Sequence, residues 1–187
     1  MRMTEPSQLR LITERLLLRP FTLSDAPEVQ RLAGASEIAD TTSNIPHPYP
    51  EGAAEAWIAG HAAQIAAGTD YPFAIIRRAD ETLVGAIGLH VQPAHHRAEM
   101  GYWIGVPYWR QGYATEAVRR VIAFGFDTLG LNRIYATYFT RNPASRRVME
   151  KAGMRYEGTL REWIRKADRY EDCGICAILR KDYGQEV

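Results

Sequence analysis

The fold class that this sequence predicts is α/β (α+β), a mixed layer in which helices cover a mostly antiparallel sheet. Three observations predict it. The chain has 187 residues, which suits one domain with a self-sufficient core. Segments of helical period and short strand-like runs follow one another in the order β-α-α-β-β-β-α-β-α-β-β. Two of the strand pairs are joined by brief polar turns, at Ala79-Asp80-Glu81 and near Lys166-Ala167-Asp168.

The elements justify themselves in turn. Leu16 to Arg19 is a short apolar run stopped by Pro20, and reads as the first strand. Ser24 and Asp25 look like a helix start, with Pro27 tolerated in the first turn and Val29 and Leu32 on one face. Ser36 to Pro50 reads as irregular. Its prolines Pro46, Pro48 and Pro50 flank His47 and Tyr49, which argues for an ordered loop. Ala53 to Ala67 is alanine-rich, with Trp57, Ile58, Ala62 and Ile65 at helical spacing. Phe73 to Ile76 and Thr82 to Leu89 read as a strand pair, and Glu99 to Val106 as a third strand halted by Pro107. Thr115 to Leu129 carries Ala117, Val118, Val121, Ile122 and Phe126 on one helical face. Ile134 to Phe139 is a strand, and Ala144 to Ala152 a short helix closed by Gly153. Strands at about Met154 to Ile164 and Tyr170 to Leu179 complete the chain.

Composition excludes several functions. Hydrophobic residues at 46% and charged residues at 24% are ordinary for a soluble globular protein. A formal net charge of +1 exerts no long-range pull on nucleic acid or an anionic membrane, so any phosphate binding must come from local geometry. No stretch approaches about 18 apolar residues, so no membrane span is expected. Met1 to Arg10 is polar, without a signal-peptide core, and reads as a flexible extension of a cytoplasmic protein. Cys173 and Cys176 have C-x-x-C spacing, but no second ligand pair follows, and three residues apart on a strand they face opposite ways. His90, His95 and His96 form no metal-ligand set and read as strand-end and turn residues; no metal is expected.

The informative segment is Tyr108-Trp109-Arg110-Gln111-Gly112-Tyr113-Ala114-Thr115-Glu116-Ala117. A strand ends at Pro107, a tight loop holds Gly112, and a helix begins near Thr115. Such a junction aims free backbone N–H groups and the helix dipole at one point, which suits a phosphate. Gly112 permits close backbone approach, and Ala114 stays small. No Gly-Lys-Ser/Thr follows, so this is not a Walker A loop, and G-x-G-x-x-G is absent. An ordinary strand-to-helix turn is the other reading of the same residues.

Trp109 to Ala117 resembles the pyrophosphate loop of the GNAT superfamily of N-acetyltransferases. Asn142-Pro143-Ala144-Ser145-Arg146-Arg147-Val148-Met149-Glu150-Lys151-Ala152-Gly153-Met154 resembles that superfamily's other coenzyme A motif. Arg97-Ala98-Glu99-Met100-Gly101-Tyr102-Trp103-Ile104 resembles its central splayed strand, and Thr13-Glu14-Arg15-Leu16-Leu17-Leu18-Arg19-Pro20 is similar to the first strand of its ribosomal-protein (RimJ/RimL-type) branch. The resemblance implies a splayed sheet with helices on both faces and acetyl-CoA as cosubstrate. It implies pyrophosphate held by backbone amides of Gln111, Gly112, Tyr113, Ala114 and Thr115. The pantetheine arm would pair with the main chain of Tyr102, Trp103 and Ile104, and with the Asn142 side chain. The family often has Gln or Arg three residues before the loop glycine; here Trp109 stands there, so the loop is expected to work through backbone alone. Many relatives carry a proton-donating tyrosine seven residues after the asparagine; here it is Met149, and Ser145 becomes the candidate to hydrogen-bond the leaving sulfur.

Such a reaction needs a neutral amine, a polarised carbonyl and a stabilised thiolate. The carbonyl would be polarised by the N–H of Trp103 or Ile104. Glu99 begins the central strand, shares a face with Gly101 and Trp103, and is the candidate base, directly or through one water. A surface glutamate paired with Arg97 is its plainer reading. His47 and Tyr49, in the proline-rich loop expected over the substrate mouth, are candidates for acceptor binding. The leading acceptor is a protein N-terminal α-amine; a small amine (aminoglycoside, polyamine or amino-acid derivative) and a non-catalytic coenzyme A-binding module are the alternatives. No nucleic-acid or membrane partner is expected, and a homodimer is left open.

Overall fold

In a computed structural model, residues 9–184 are described. The expected extension at Met1 to Arg10 lies mostly outside them. Eight strands form one sheet in the order β1-β2-β3-β4-β5-β6-β8-β7. They are β1 (Leu11–Ile12), β2 (Leu16–Arg19), β3 (Asp70–Arg77), β4 (Thr82–Gln92), β5 (Arg97–Ile104), β6 (Arg133–Phe139), β7 (Arg155–Lys166) and β8 (Arg169–Leu179). Every pairing is antiparallel except β5 with β6. The helices are α1 (Ala26–Ala33), α2 (Ser36–Thr41), α3 (Ala53–Ala59), α4 (His61–Ala67), α5 (Tyr113–Ala123) and α6 (Pro143–Lys151).

Alternation along the strands builds a core on each face of the sheet. Leu18, Phe73, Ile75, Ile87 and Met100 pack with Val118, Val121 and Ile122 of α5. On the opposite face Ala74, Ile76 and Ala86 pack with Val29 and Leu32 of α1 and Ile58 of α3.

The structure corrects the expected element order at several points. A two-residue β1 precedes the strand at Leu16. Ser24 and Asp25 lie in a 3₁₀ turn before α1, where Asp25 accepts from the Thr22 amide at 2.8 Å and pairs with Arg19 at 2.7 Å. The segment 36–50 is not wholly irregular, because α2 occupies its start. Burial of Ile38 and Ala39, and Thr41 and Thr42 hydroxyls donating to the carbonyls of Glu37 and Ile38, hold that short helix. The helix expected over Ala53 to Ala67 breaks at Gly60 into α3 and α4. That expected from Thr115 starts at Tyr113, ends at Ala123 and continues as a π-helical turn, Phe124–Thr128.

Candidate active site

The parallel pair β5–β6 holds the site. Its register runs only from Arg97↔Arg133 to Glu99↔Tyr135. Beyond that the strands diverge, β5 to Ile104 and β6 to Phe139. The sheet therefore opens as a wedge with Glu99 at its apex. A cavity of about 780 Å³ occupies the opening, lined by Glu99 to Trp103 of β5, Thr137 to Phe139 of β6, and residues of α1, α3, α4 and the loop after α2.

Strand alternation divides the wedge between two faces. Met100 and Ile104 are buried with Tyr113 and Met149 of α5 and α6, and Tyr102 packs on the same cluster. Trp103 packs on the opposite cluster, with α1 and α3. Glu99 and Gly101 share its face, and a side chain added at Gly101 would meet nothing within 4 Å. The main chain alternates too. The Gly105 amide donates to Val84 of β4, which turns the backbone groups of Trp103 and Gly101 toward β4 and those of Met100, Tyr102 and Ile104 toward the wedge. The Trp103 amide is thus already paired in the sheet, so of the two amides expected to meet a carbonyl only that of Ile104 faces the wedge. The Ile104 carbonyl accepts from the Trp109 indole at 2.5 Å, which ties the loop to the strand end.

Two left-handed residues shape the loop between β5 and α5: Arg110 at φ 62° and Gly112 at φ 83°. Alternating handedness of this kind converges successive N–H groups on one point, and the unpaired amides of the first turn of α5 lie beside it. A Cβ at Gly112 would come within 3.3 Å of the Arg15 guanidinium. Arg15 braces the loop: it donates to the Gln111 carbonyl at 2.9 Å and to Glu116 at 2.7 Å, and lies over the Tyr113 ring. Thr13 donates to the same carboxylate at 2.6 Å. Burial opposes ionisation of Glu116, but the bonds from Thr13 and Arg15 hold it below the usual carboxylate range. The cradle fits a pyrophosphate in shape and donor chemistry.

On the α6 side, Asn142 caps the helix by accepting from the Ser145 amide at 3.3 Å. The cap uses only the side-chain oxygen; among the described residues its NH₂ donates to none. The Ser145 hydroxyl takes no part in the cap. It lies 2.9 Å from the Tyr102 hydroxyl, whose proton is held firmly because burial pushes the phenol well above its ordinary value. Met149 is buried in the core beneath.

On the other face, Glu99 makes no ion pair among the described residues. Tyr135 and Thr137 hydroxyls approach it, each at 3.4 Å, while Arg97 turns to Gln92 at 2.8 Å. Tyr49 lines the cavity, and burial raises its phenol. His47 does not: it is exposed and bonds the Gly34 carbonyl at 3.1 Å, on the outer side of the loop. The cavity wall is latched by residues that the sequence did not single out. Lys166, at the β7–β8 turn, donates to the carbonyls of Thr42 and Ile45 at 2.6 and 2.7 Å, and Arg141 joins Asp40 to Glu171. Both cysteines are unbridged and buried, Cys173 against the cavity and Cys176 in the core of the other face. Among the described residues no three His, Cys, Asp or Glu side chains gather as a metal site, and no helix is long and apolar enough to cross a membrane.

Comparison with known proteins agrees with this geometry. Residues 15–155 match the model of the acetyltransferase (GNAT) domain. The chain is 33% identical over 180 residues to the uncharacterized N-acetyltransferase YoaA of Bacillus subtilis, covering 91% of this chain and 96% of the relative. It is 32% identical over 108 residues to the putative ribosomal N-acetyltransferase YdaF of the same organism, covering 57% and 59%. The structure of Mycobacterium smegmatis RimJ in complex with CoA-disulfide superposes with a TM-score of 0.82 at 25% identity, covering 91% of this chain and 85% of RimJ. With the splayed sheet, the loop cradle and these matches together, the chain belongs to the GNAT family of N-acetyltransferases.

Proposed function

We propose that this N-acetyltransferase moves the acetyl group of acetyl-CoA directly to the α-amine of a protein N-terminus, in the cytoplasm. The observation that carries the reading is the wedge between β5 and β6, which lets two substrates meet from opposite faces of the sheet. Acetyl-CoA supplies the activated acetyl group. Backbone amides from Gln111 to Thr115 would hold its pyrophosphate, the wedge-facing main chain of Tyr102 and Ile104 its pantetheine arm together with Asn142. Ser145 would hydrogen-bond the leaving sulfur. From the other face Glu99 takes the proton that the attacking nitrogen loses, directly or through one water. An α-amine, with an ordinary pKa of about 7.7 to 8.0, is partly neutral at pH 7 and needs less help than a lysine amine at about 10.4. The ribosomal N-acetyltransferase name of YdaF and the likeness to RimJ support a polypeptide acceptor.

A second reading is favoured by one observation: Asp70 joins Glu99 in the lining. Two carboxylates suit a small acceptor with a second cation. A panel separates the two. Peptides beginning with Ser, Ala or Thr should be acetylated with higher kcat/KM than polyamines, aminoglycosides or free amino acids. Preference for a small polycation would replace the peptide reading with the second.

A further inference from the structure

The strand register draws a row of side chains across the sheet. Asp70 on β3 pairs with His90 on β4, His90 with Glu99 on β5, and Glu99 with Tyr135 on β6. Directly opposed residues share a face, and neighbouring strands lie about 4.8 Å apart. His90 is therefore the immediate neighbour of Glu99, and Asp70, His90 and Glu99 all line the cavity. The His90 ring nitrogen Nδ1 is 2.8 Å from an Asp70 carboxylate oxygen. An ionised carboxylate only accepts hydrogen bonds, so Nδ1 carries a proton, and in the neutral imidazole the lone pair then lies on Nε2. The imidazole side chain lines the cavity and is 59% exposed, so a proton can leave it to water.

The other charged or titratable groups around it are accounted for. From β3 comes Asp70 and from β5 Glu99. Arg97, on the same face of β5, is turned to Gln92 and lies over the Tyr135 ring. His61 of α4, in the same lining, is buried against Phe21 and Trp57.

We propose that His90, oriented by Asp70, is the base that takes the proton from the incoming ammonium group before Glu99 serves the attacking nitrogen. One N–H bond of the ammonium breaks and its electron pair becomes the nucleophilic lone pair. The proton bonds to Nε2, and the exposed imidazolium releases it to water. An amine of pKa about 7.7 to 8.0 is only roughly a tenth to a fifth neutral at pH 7, so most acceptor molecules arrive needing this step. An imidazole is better matched to an ammonium proton than a carboxylate is.

The inference rests on the transfer reading above, and one experiment separates their failures. The pH dependence of kcat is measured for wild type, His90→Gln and Asp70→Asn, with a peptide acceptor and with a weakly basic amine that is already neutral at low pH. With the peptide, both variants should lose about tenfold or more near pH 6.5 and return to within about twofold of wild type near pH 9, where the acceptor binds as free amine. With the weakly basic amine they should match wild type throughout. Equal losses at every pH and with both acceptors, or no loss at all, would overturn the role of His90. Absence of wild-type turnover with every amine would overturn the transfer reading, and this inference with it.

Discussion

The hydroxyl of Tyr102 lies 2.9 Å from that of Ser145, across the gap between β5 and α6. Tyr102 can give its one proton to the Ser145 hydroxyl or to the Ser145 carbonyl at 3.1 Å. When the hydroxyl receives it, Ser145 is free to donate its own proton outward. Ser145→Ala and Tyr102→Phe should each slow acetyl transfer about tenfold, close to one hydrogen bond of about 1.4 kcal/mol. The double variant should lose little more than either single one, because the two act in series. Met149→Leu should be nearly neutral. Helix stability should barely change in Ser145→Ala, since Asn142 supplies the cap. Additive losses in rate would contradict the series arrangement.

The loop cradle predicts cofactor affinity. Acetyl-CoA should raise the Tm of the wild type by mass action. Gly112→Val should abolish that shift, because a branched side chain cannot take φ 83° without strain and would crowd Arg15. Glu116→Gln should weaken binding about tenfold by loosening the Arg15 brace, without touching any ligand atom. A normal shift in Gly112→Val would show that the loop does not hold the cofactor.

Glu99→Gln should leave that thermal shift intact and lower turnover by about 10²-fold, the low end for proton transfer by a positioned base. Turnover within about twofold of wild type would make Glu99 a structural residue of the wedge.

His61 predicts a pH-dependent stability. Burial against Phe21 and Trp57 lowers its imidazole from 6.5 to about 4. The unfolded chain then takes up a proton before the folded one does. The stability due to a neutral His61 is complete above pH 6.5 and drains away as pH falls toward 4, by at most about 3 kcal/mol. Urea unfolding at pH 7.5 and at pH 5 should show a steeper loss in wild type than in His61→Phe. Parallel losses would mean that other groups carry the acid sensitivity.

Periodicity made much of this architecture legible. The face shared by Glu99, Gly101 and Trp103 follows from alternation alone, and the buried side of α5 from its helical spacing. What stayed hidden depends on distance. Tyr102 and Ser145 are 43 residues apart, Arg15 and Glu116 are 101, and Lys166 reaches Thr42 across 124. No local pattern couples such partners. His47 and Tyr49 are two residues apart in one proline-rich loop, yet only Tyr49 reaches the cavity, because the fold of that loop decides which side chain turns inward. α2 is illegible for the opposite reason: its six residues are too few to show a period. By sequence alone His90 is a strand-end residue, and only the register across β3, β4 and β5 sets it between two carboxylates.

In the proposed reaction both substrates occupy the wedge together and the acetyl group passes directly between them. Initial rates measured over a grid of acetyl-CoA and amine concentrations test this. Direct transfer predicts double-reciprocal lines that intersect, with no acetylated protein after incubation with acetyl-CoA alone. Parallel lines, together with a stable acetyl-enzyme that Cys173→Ala abolishes, would rule out direct transfer and assign the chemistry to the buried thiol beside Glu99.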